Sequence, residues 1–277
     1  MVATPIGNMA DMTLRAIHVL ARVDAVACED TRVGAQLLRH LGVQHPLIAL
    51  HAHNEQAAAA QVLTRLAAGQ SVAYISDAGT PAVSDPGAAL VAQAQAAGWR
   101  TVPVPGPSSA LAALSVAGDV AGTGFKFIGF LPAKGAERQA ALAGALLDTT
   151  TLVIFEAPHR IEALCKALCE QAGVRRVTLC RELTKQFETV ASMAASDLPA
   201  WLAADAQRLR GEFVLVVHAM PVKSNVNNEL PTAAQHTLAV LLRELPLKQA
   251  VALAAEISGA PRNALYALAL SLQADAP

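Results

Sequence analysis

What the chain lacks narrows its class first. No uninterrupted apolar run approaches the roughly 20 residues of a membrane-spanning helix. The hydrophobic share, 53% of 277 residues, comes instead from Ala, Leu and Val spread over amphipathic segments, the pattern of a water-soluble chain with sizeable cores and, by length, about two domains. No basic segment followed by an apolar one opens the sequence, so secretion is not expected, and a cytoplasmic location without a membrane partner is. The four cysteines, Cys28, Cys165, Cys169 and Cys180, include no C-x-x-C pair. Cys165 and Cys169 are spaced as half a metal site on a helix would be, but two small buried hydrophobes fit better, and neither metal nor disulfide is expected. Excess charge is missing too. With 21 basic and 22 acidic residues there is no global basic field, so any RNA contact must come from a local patch. Neither G-x-x-x-x-G-K-[ST] nor G-x-G-x-x-G occurs, which favours a nucleoside ligand without phosphates over a nucleotide held by its phosphates.

What is present is organised around Ser71 to Ala113. There SVAYIS ends in DAGTPAVSDPG, and TVPVPG ends in PSSALAAL, each loop feeding a helical pattern. Upstream, Val2 and Ala3 end a first strand that is either stunted or begins further upstream. Asp11 is the expected cap of a helix through Leu14, Ile17 and Leu20, Ala25 to Cys28 a short strand, and Thr31 the cap of a helix ending near Gly42. Leu47 to Leu50 is a third strand and Asn54 to Ala68 a helix. Strands thus alternate with helices of roughly 10 to 15 residues, the signature of a parallel sheet covered on both faces.

From Phe125 the strands crowd together: FKFIGFLP, TLVIFEAP, RRVTLC, a short strand around Glu188 to Ala191, and EFVLVVHA, with helices after the first two. That favours a mixed sheet. The expected organisation is an α/β lobe over 1–120, a second over 121–219, a polar linker over 220–231, and a helical tail over 232–277. The last two tail helices meet at a tight Gly-Ala-Pro turn. They read either as a helix-turn-helix presenting Lys248, Arg262 and Asn263 to nucleic acid or as a packing cap.

Five loops at strand ends hold the polar and glycine residues: TPIGN, EDTR, HAHNE, DAGTP with SDPG, and PGPSS. Asp77, Gly79, Thr80, Pro81, Gly106, Pro107, Ser108 and Ser109 are the first candidates for a site, because ligands in α/β sheets bind beyond the carboxyl ends of the strands. Glycines admit close backbone approach, and Ser108 and Ser109 open a helix with free N–H groups.

VATPIGNMADMTLRA, CEDTR, HNE, YISDAGTPAVSDPG, VPVPGPSSALAAL, GFLPAKG, FEAPHR, RELTK and GEFVLVV resemble, segment by segment, the class III S-adenosylmethionine methyltransferases of the tetrapyrrole-methylase fold. Within that superfamily they are most similar to the 16S rRNA (cytidine-2′-O)-methyltransferase branch, since ATPIGN and DMTLRA stand where small-molecule members open with a GPG loop. The resemblance implies a homodimer of two-lobed subunits, each holding S-adenosylmethionine between its lobes. Its contacts would fall on Asp77, Gly79, Thr80, Pro81, Val83, Ser108, Ser109, Ala110, Glu156, Ala157 and Leu183. It further implies 2′-O-methylation of a cytidine ribose in the decoding region of 16S rRNA, within the small ribosomal subunit. The alternatives are a small-molecule, tetrapyrrole-type methyltransferase and a binding module built on the tail.

For the hydroxyl proton, polar loop residues offer Asp30, Asp85, Glu156, His159 and Lys134, with Glu156 and a desolvated Lys134 preferred. Asp30 could instead pair with Arg32, and His159 could simply start a helix. The RNA patch is expected from Lys134, Arg138, Arg160, Arg181 and Lys185, extended by Lys248 and Arg262.

Overall fold

Ala-Val-Ala-Cys, the strand β1 (Ala25–Cys28), is buried at every position and lies between two parallel neighbours, β2 (Leu47–Ala49) and β3 (Val72–Ile75). A strand covered on both faces has no polar alternation to show, which is why it reads as a plain apolar run. The computed structural model describes residues 1–51, 53–220 and 230–274. On one face of this sheet α1 (Leu14–Leu20) and α2 (Thr31–His40) bury Leu20 and Leu38 against Val26 and Ile75. On the other, α3 (Glu55–Ala67) and α4 (Ala88–Ala96) bury Val62 and Leu90 against Ile48 and Tyr74.

Two further strand positions are reduced to single bridges. Val2 pairs in parallel with Ile75 on one side and Val104 on the other, so the first strand position lies between β3 and Val104. The strand expected at TVPVPG shrinks to Val104 because Pro103 and Pro105 have no N–H to give to a ladder. Two caps also differ from expectation. Thr13 accepts from Ala16 N at the start of α1, and Asp30 from Arg32 N at the start of α2, in place of Asp11 and Thr31. Both are the last extended residue before the helix, where a side-chain oxygen reaches an orphan N–H.

After α5 (Ser109–Ala117) comes the second sheet: β4 (Phe125–Phe130), then α6 (Gly135–Leu146), β5 (Thr151–Glu156), α7 (Ile161–Ala172), β6 (Arg176–Arg181), β7 (Thr189–Ala194), α8 (Leu198–Ala203) and β8 (Phe213–Val217). Its order is β4-β5-β8-β6-β7, with β4 and β5 parallel and the other pairings antiparallel. α6, α7 and α8 cover one face, where Cys165 is buried among Leu164, Leu168 and Leu179. α5 covers the other. Its Ala110, Ala113 and Ala117 are small enough to let the helix lie directly on Val153, Cys180, Val214 and Val216. The PGPSS segment therefore crosses from the first sheet to the second, and a cleft forms beside that crossing.

The body is Met1–Met220 and a separate unit is Pro221–Pro277. Most of the expected linker lies outside the described residues, and its far end, Leu230, is buried in the tail's own core. There α9 (Thr232–Glu244), α10 (Leu247–Ser258) and α11 (Arg262–Ala274) pack around Leu238, Val251, Ala254, Leu265 and Ala269. No described helix is long and apolar enough to cross a membrane.

Asp119, just past α5, ties the second lobe together. Its Oδ2 accepts from Thr151 Oγ1 and from Ala219 N, both at 2.7 Å. Burial opposes its charge, but these hydrogen bonds outweigh burial and hold the carboxyl below its ordinary value. A carboxyl lowered in the folded chain contributes stability above its unfolded pKa and loses it as pH falls through the folded one. Asp119→Ala should therefore cost about 2 kcal/mol near neutrality, visible as a lower melting temperature. The deficit should narrow as the pH is taken below that of ordinary carboxyl titration.

Candidate functional site

A cleft of about 350 Å³ lies between the two sheets of the body, lined from the first lobe by Ile6, Ala78, Gly79, Thr80, Val83, Ser84 and Asp85. Ser108 and Ser109 line it at the crossing, and Phe130, Phe155, Glu156, Ala157, Pro158, Leu183, Glu212, Phe213 and Val214 from the second lobe. Because β8 runs antiparallel to β5, with Phe213 opposite Glu156, its starting end joins the carboxyl end of β5 at the cleft. Of the five loops expected there, TPIGN, DAGTP with SDPG, and PGPSS contribute, whereas no described residue of EDTR or HAHNE does.

The first-lobe wall is built from backbone. Thr4 and Gly79 exchange N–H···O bonds at 2.9 and 3.0 Å. Thr80 Oγ1 donates to Pro107 O at 3.0 Å and joins the DAGTP and PGPSS loops. Gly79 has φ +82°, and a Cβ there would press on Ile6. Ser108 caps α5 without a side-chain hydrogen bond of its own, so the first turn of that helix keeps free N–H groups at the cleft. Asp77, Pro81 and Ala110 do not line the cavity: Asp77 accepts from Asp30 N, and Ala110 belongs to the core under α5.

Across the cleft, Glu156 is fully buried and held by two arginines. Arg138 Nη2 donates to Oε2 at 2.5 Å, and Arg160 Nε lies 2.9 Å from Oε1 as an ion pair but outside hydrogen-bond geometry. Ala157 N also donates to Oε1. Both guanidinium groups reach on to the β4 loop, Arg138 to Pro132 O and Arg160 to Leu131 O. Phe155 packs edge-on against Phe127 and Phe130, with centroids 5.0 and 5.6 Å away. Leu183 is aimed by two residues with left-handed backbone, Glu182 (φ 53°) and Thr184 (φ 67°), a costly arrangement for non-glycine residues. Lys185 bridges Glu182 and Glu212, and its stem lies so close to Gly7 that a Cβ there has no room.

This geometry redistributes the expected roles. Among the described residues, Lys134 makes no ion pair and is exposed, without the burial its candidacy as a base required. Glu156 is at the cleft, but its oxygens are already occupied. Asp30 pairs with Arg32, whose guanidinium and backbone N–H push it down to about 2, and His159 is exposed ahead of α7. Arg138, Arg160 and Lys185 are engaged within the body, as is Arg181, which donates to Arg210 O and Phe187 O. Lys248 and Arg262 line a separate notch with Val251, Asn263 and Tyr266 in the tail. The residues that sequence reasoning missed, Phe130, Phe155, Phe213 and Glu212 among them, sit on strands or strand ends; the phenylalanines at the ends of FKFIGF and TLVIF were the available signal.

Among the described residues, no lysine or arginine lines the cleft, whereas Asp85, Glu156 and Glu212 do. Apolar walls, backbone donors and carboxylates suit an aromatic ligand with a positive charge and do not suit phosphates. The comparisons say which class this is: the chain belongs to the tetrapyrrole (corrin/porphyrin) methylase family, which matches residues 1–199. The sulfonium and ammonium charges of S-adenosylmethionine, the donor that the sequence resemblance implies, would fit the wall just described. More particularly, the chain is 47% identical over 273 residues to the ribosomal RNA small subunit methyltransferase I of Pseudomonas aeruginosa, covering 98% of this chain and 96% of that one. It is also 47% identical over 270 residues to the protein of the same name from Neisseria meningitidis serogroup A, covering 98% and 92%. The description RsmI C-terminal HTH domain matches residues 228–273. Among solved structures, uroporphyrin-III C-methyltransferase from Thermus thermophilus complexed with S-adenyl homocysteine shares the fold, with a TM-score of 0.53 and 17% identity over 78% of this chain and 95% of that one.

Gly79→Val should strain the loop and push Ile6 into the cleft. Calorimetric titration with S-adenosylmethionine should show affinity reduced at least tenfold, about 1.4 kcal/mol. Unchanged affinity would remove the DAGTP loop from the site.

Proposed function

We propose that the chain transfers the methyl group of S-adenosylmethionine to the ribose 2′-hydroxyl of a cytidine in the decoding region of 16S rRNA, acting in the cytoplasm as a homodimer on the small ribosomal subunit. The observation that carries this reading is the near-full-length identity to proteins named ribosomal RNA small subunit methyltransferase I. The donor would lie with its adenosine against Leu183, Val83 and the Phe155 edge. Backbone groups of the DAGTP, PGPSS and EAP loops would hold its polar ends. Asp77, Pro81 and Ala110 would then shape the loops from behind.

Methyl transfer is an in-line displacement, so holding the hydroxyl oxygen behind the methyl carbon supplies much of the rate. RNA affinity has to come from few cations. Lys134, at the cap of α6, and Lys248 and Arg262 in the tail are exposed and suited to phosphates. Arg138, Arg160, Arg181 and Lys185 serve first as internal struts, and their part in RNA binding would be to shape the surface. A dimer doubles the available patch and favours recognition of a folded particle by shape.

Labelled S-adenosylmethionine supplied with small ribosomal subunits, naked 16S rRNA or a precorrin-type tetrapyrrole should place the label on a cytidine ribose of the decoding region. Label on the tetrapyrrole alone would establish the small-molecule alternative instead. Removing residues 232–277 should weaken RNA methylation far more than donor binding; equal survival of both would leave the tail a packing element.

A further inference from the structure

Three carboxylates line the cleft among the described residues, and they are not equivalent. Glu156 is enclosed by Arg138 and Arg160, and Glu212 is exposed and paired with Lys185. Asp85 is half-buried, lines the cleft, and has no ion-pair partner among the described residues. It sits in the loop that carries Gly79, Thr80 and Val83, between Ala82, whose φ of 63° is left-handed, and the start of α4. Left-handed backbone at a non-glycine residue persists where the surroundings over-determine it, often at sites that work.

We propose that Asp85 is the catalytic base that takes the proton of the acceptor hydroxyl as the methyl group arrives. The inference rests on the reading above, that the acceptor is a hydroxyl. In this step the ribose oxygen forms a bond to the methyl carbon while the carbon–sulfur bond of the donor breaks and its electron pair stays on sulfur, leaving a thioether. The hydroxyl proton passes to a carboxylate oxygen of Asp85 and then to solvent.

The surroundings of Asp85 suit a proton acceptor. Burial, reinforced by the charge of Asp77, raises its carboxyl above the ordinary range, against a lowering contribution from the Ser76 hydroxyl. Glu29, at the end of β1, is likewise raised by burial and by Asp77 and Asp85. Tyr74, from β3, is 2% exposed, and its hydroxyl lacks a hydrogen-bond partner. Glu55, on α3, adds to the negative charge that Tyr74 feels. No cation among these groups quenches the basicity of Asp85, in contrast to Glu156.

The test pairs rate with proton release. Asp85→Asn should lower kcat on small ribosomal subunits at least about 100-fold, with S-adenosylhomocysteine affinity within about threefold of wild type, roughly 0.7 kcal/mol. Asp85→Glu should recover part of the rate. Asp77→Asn should move the acid limb of the wild-type pH–rate profile to lower pH, because it removes a like charge. Independently of RNA, calorimetry in two buffers at mildly acidic pH should show proton release from wild type on binding S-adenosylmethionine. The sulfonium favours ionised Asp85, so release should be absent with S-adenosylhomocysteine and with Asp85→Asn. Rates within tenfold of wild type for Asp85→Asn, an unmoved limb for Asp77→Asn, or no proton release from wild type would each overturn the assignment. So would a loss confined to donor affinity. A wild type that releases the proton but leaves the ribosomal RNA unmethylated would retain the acceptor carboxylate and refute the substrate.

Discussion

The buried carboxylate of Glu156 is the constraint on which the site depends. A charge with no solvent exposure is costly unless it is paired and hydrogen-bonded, and here Arg138 from α6 and Arg160 at the cap of α7 both converge on it. The same guanidinium groups hold the carbonyls of Leu131 and Pro132. One ion cluster thus fixes the end of β5, the exit of β4 and the starts of two helices. Phe130 and Phe155, adjacent to these anchors, are held with them as the aromatic wall of the cleft.

That arrangement decides the chemistry the cleft can host. With the arginines turned inward, the cavity wall is apolar and acidic, and a sulfonium donor is accommodated where a polyphosphate would be repelled. It also separates the carboxylates, since Glu156 is neutralised by its partners while Asp85 lines the cleft with no ion-pair partner among the described residues. The scarcity of free cations near the cleft agrees with a chain of nearly balanced charge, in which internal struts take up a share of the basic residues.

Much of this was legible in the residues. DAGTPAVSDPG and PGPSSA read as ligand loops because a run of Gly, Pro and Asp ends each apolar stretch, and Gly79, Thr80, Ser108 and Ser109 do line the cleft. The two-lobed α/β fold followed from strand spacing and from the family resemblance. What could not be read was set by partners distant in sequence. The pairing of Glu156 with Arg138 depends on α6 folding back over β5. The presence of Phe213 and Glu212 at the site depends on β8 running antiparallel to β5, which strand spacing does not reveal. The placement of α5 on the second sheet rests on three alanines whose partners lie beyond residue 150. The strand at TVPVPG failed for a local reason that was visible, two prolines flanking Val104.

We infer that Glu156 is a structural anchor and not the group that handles the proton. Denaturant unfolding of Glu156→Gln, alongside its pH–rate profile, tests it most directly. Removing the charge leaves two guanidinium groups facing each other without a counter-ion, so the variant should lose about 3 kcal/mol of stability and keep the wild-type shape of the profile in its folded fraction. Full stability combined with a lost or reshaped acid limb would make Glu156 the proton-handling group instead.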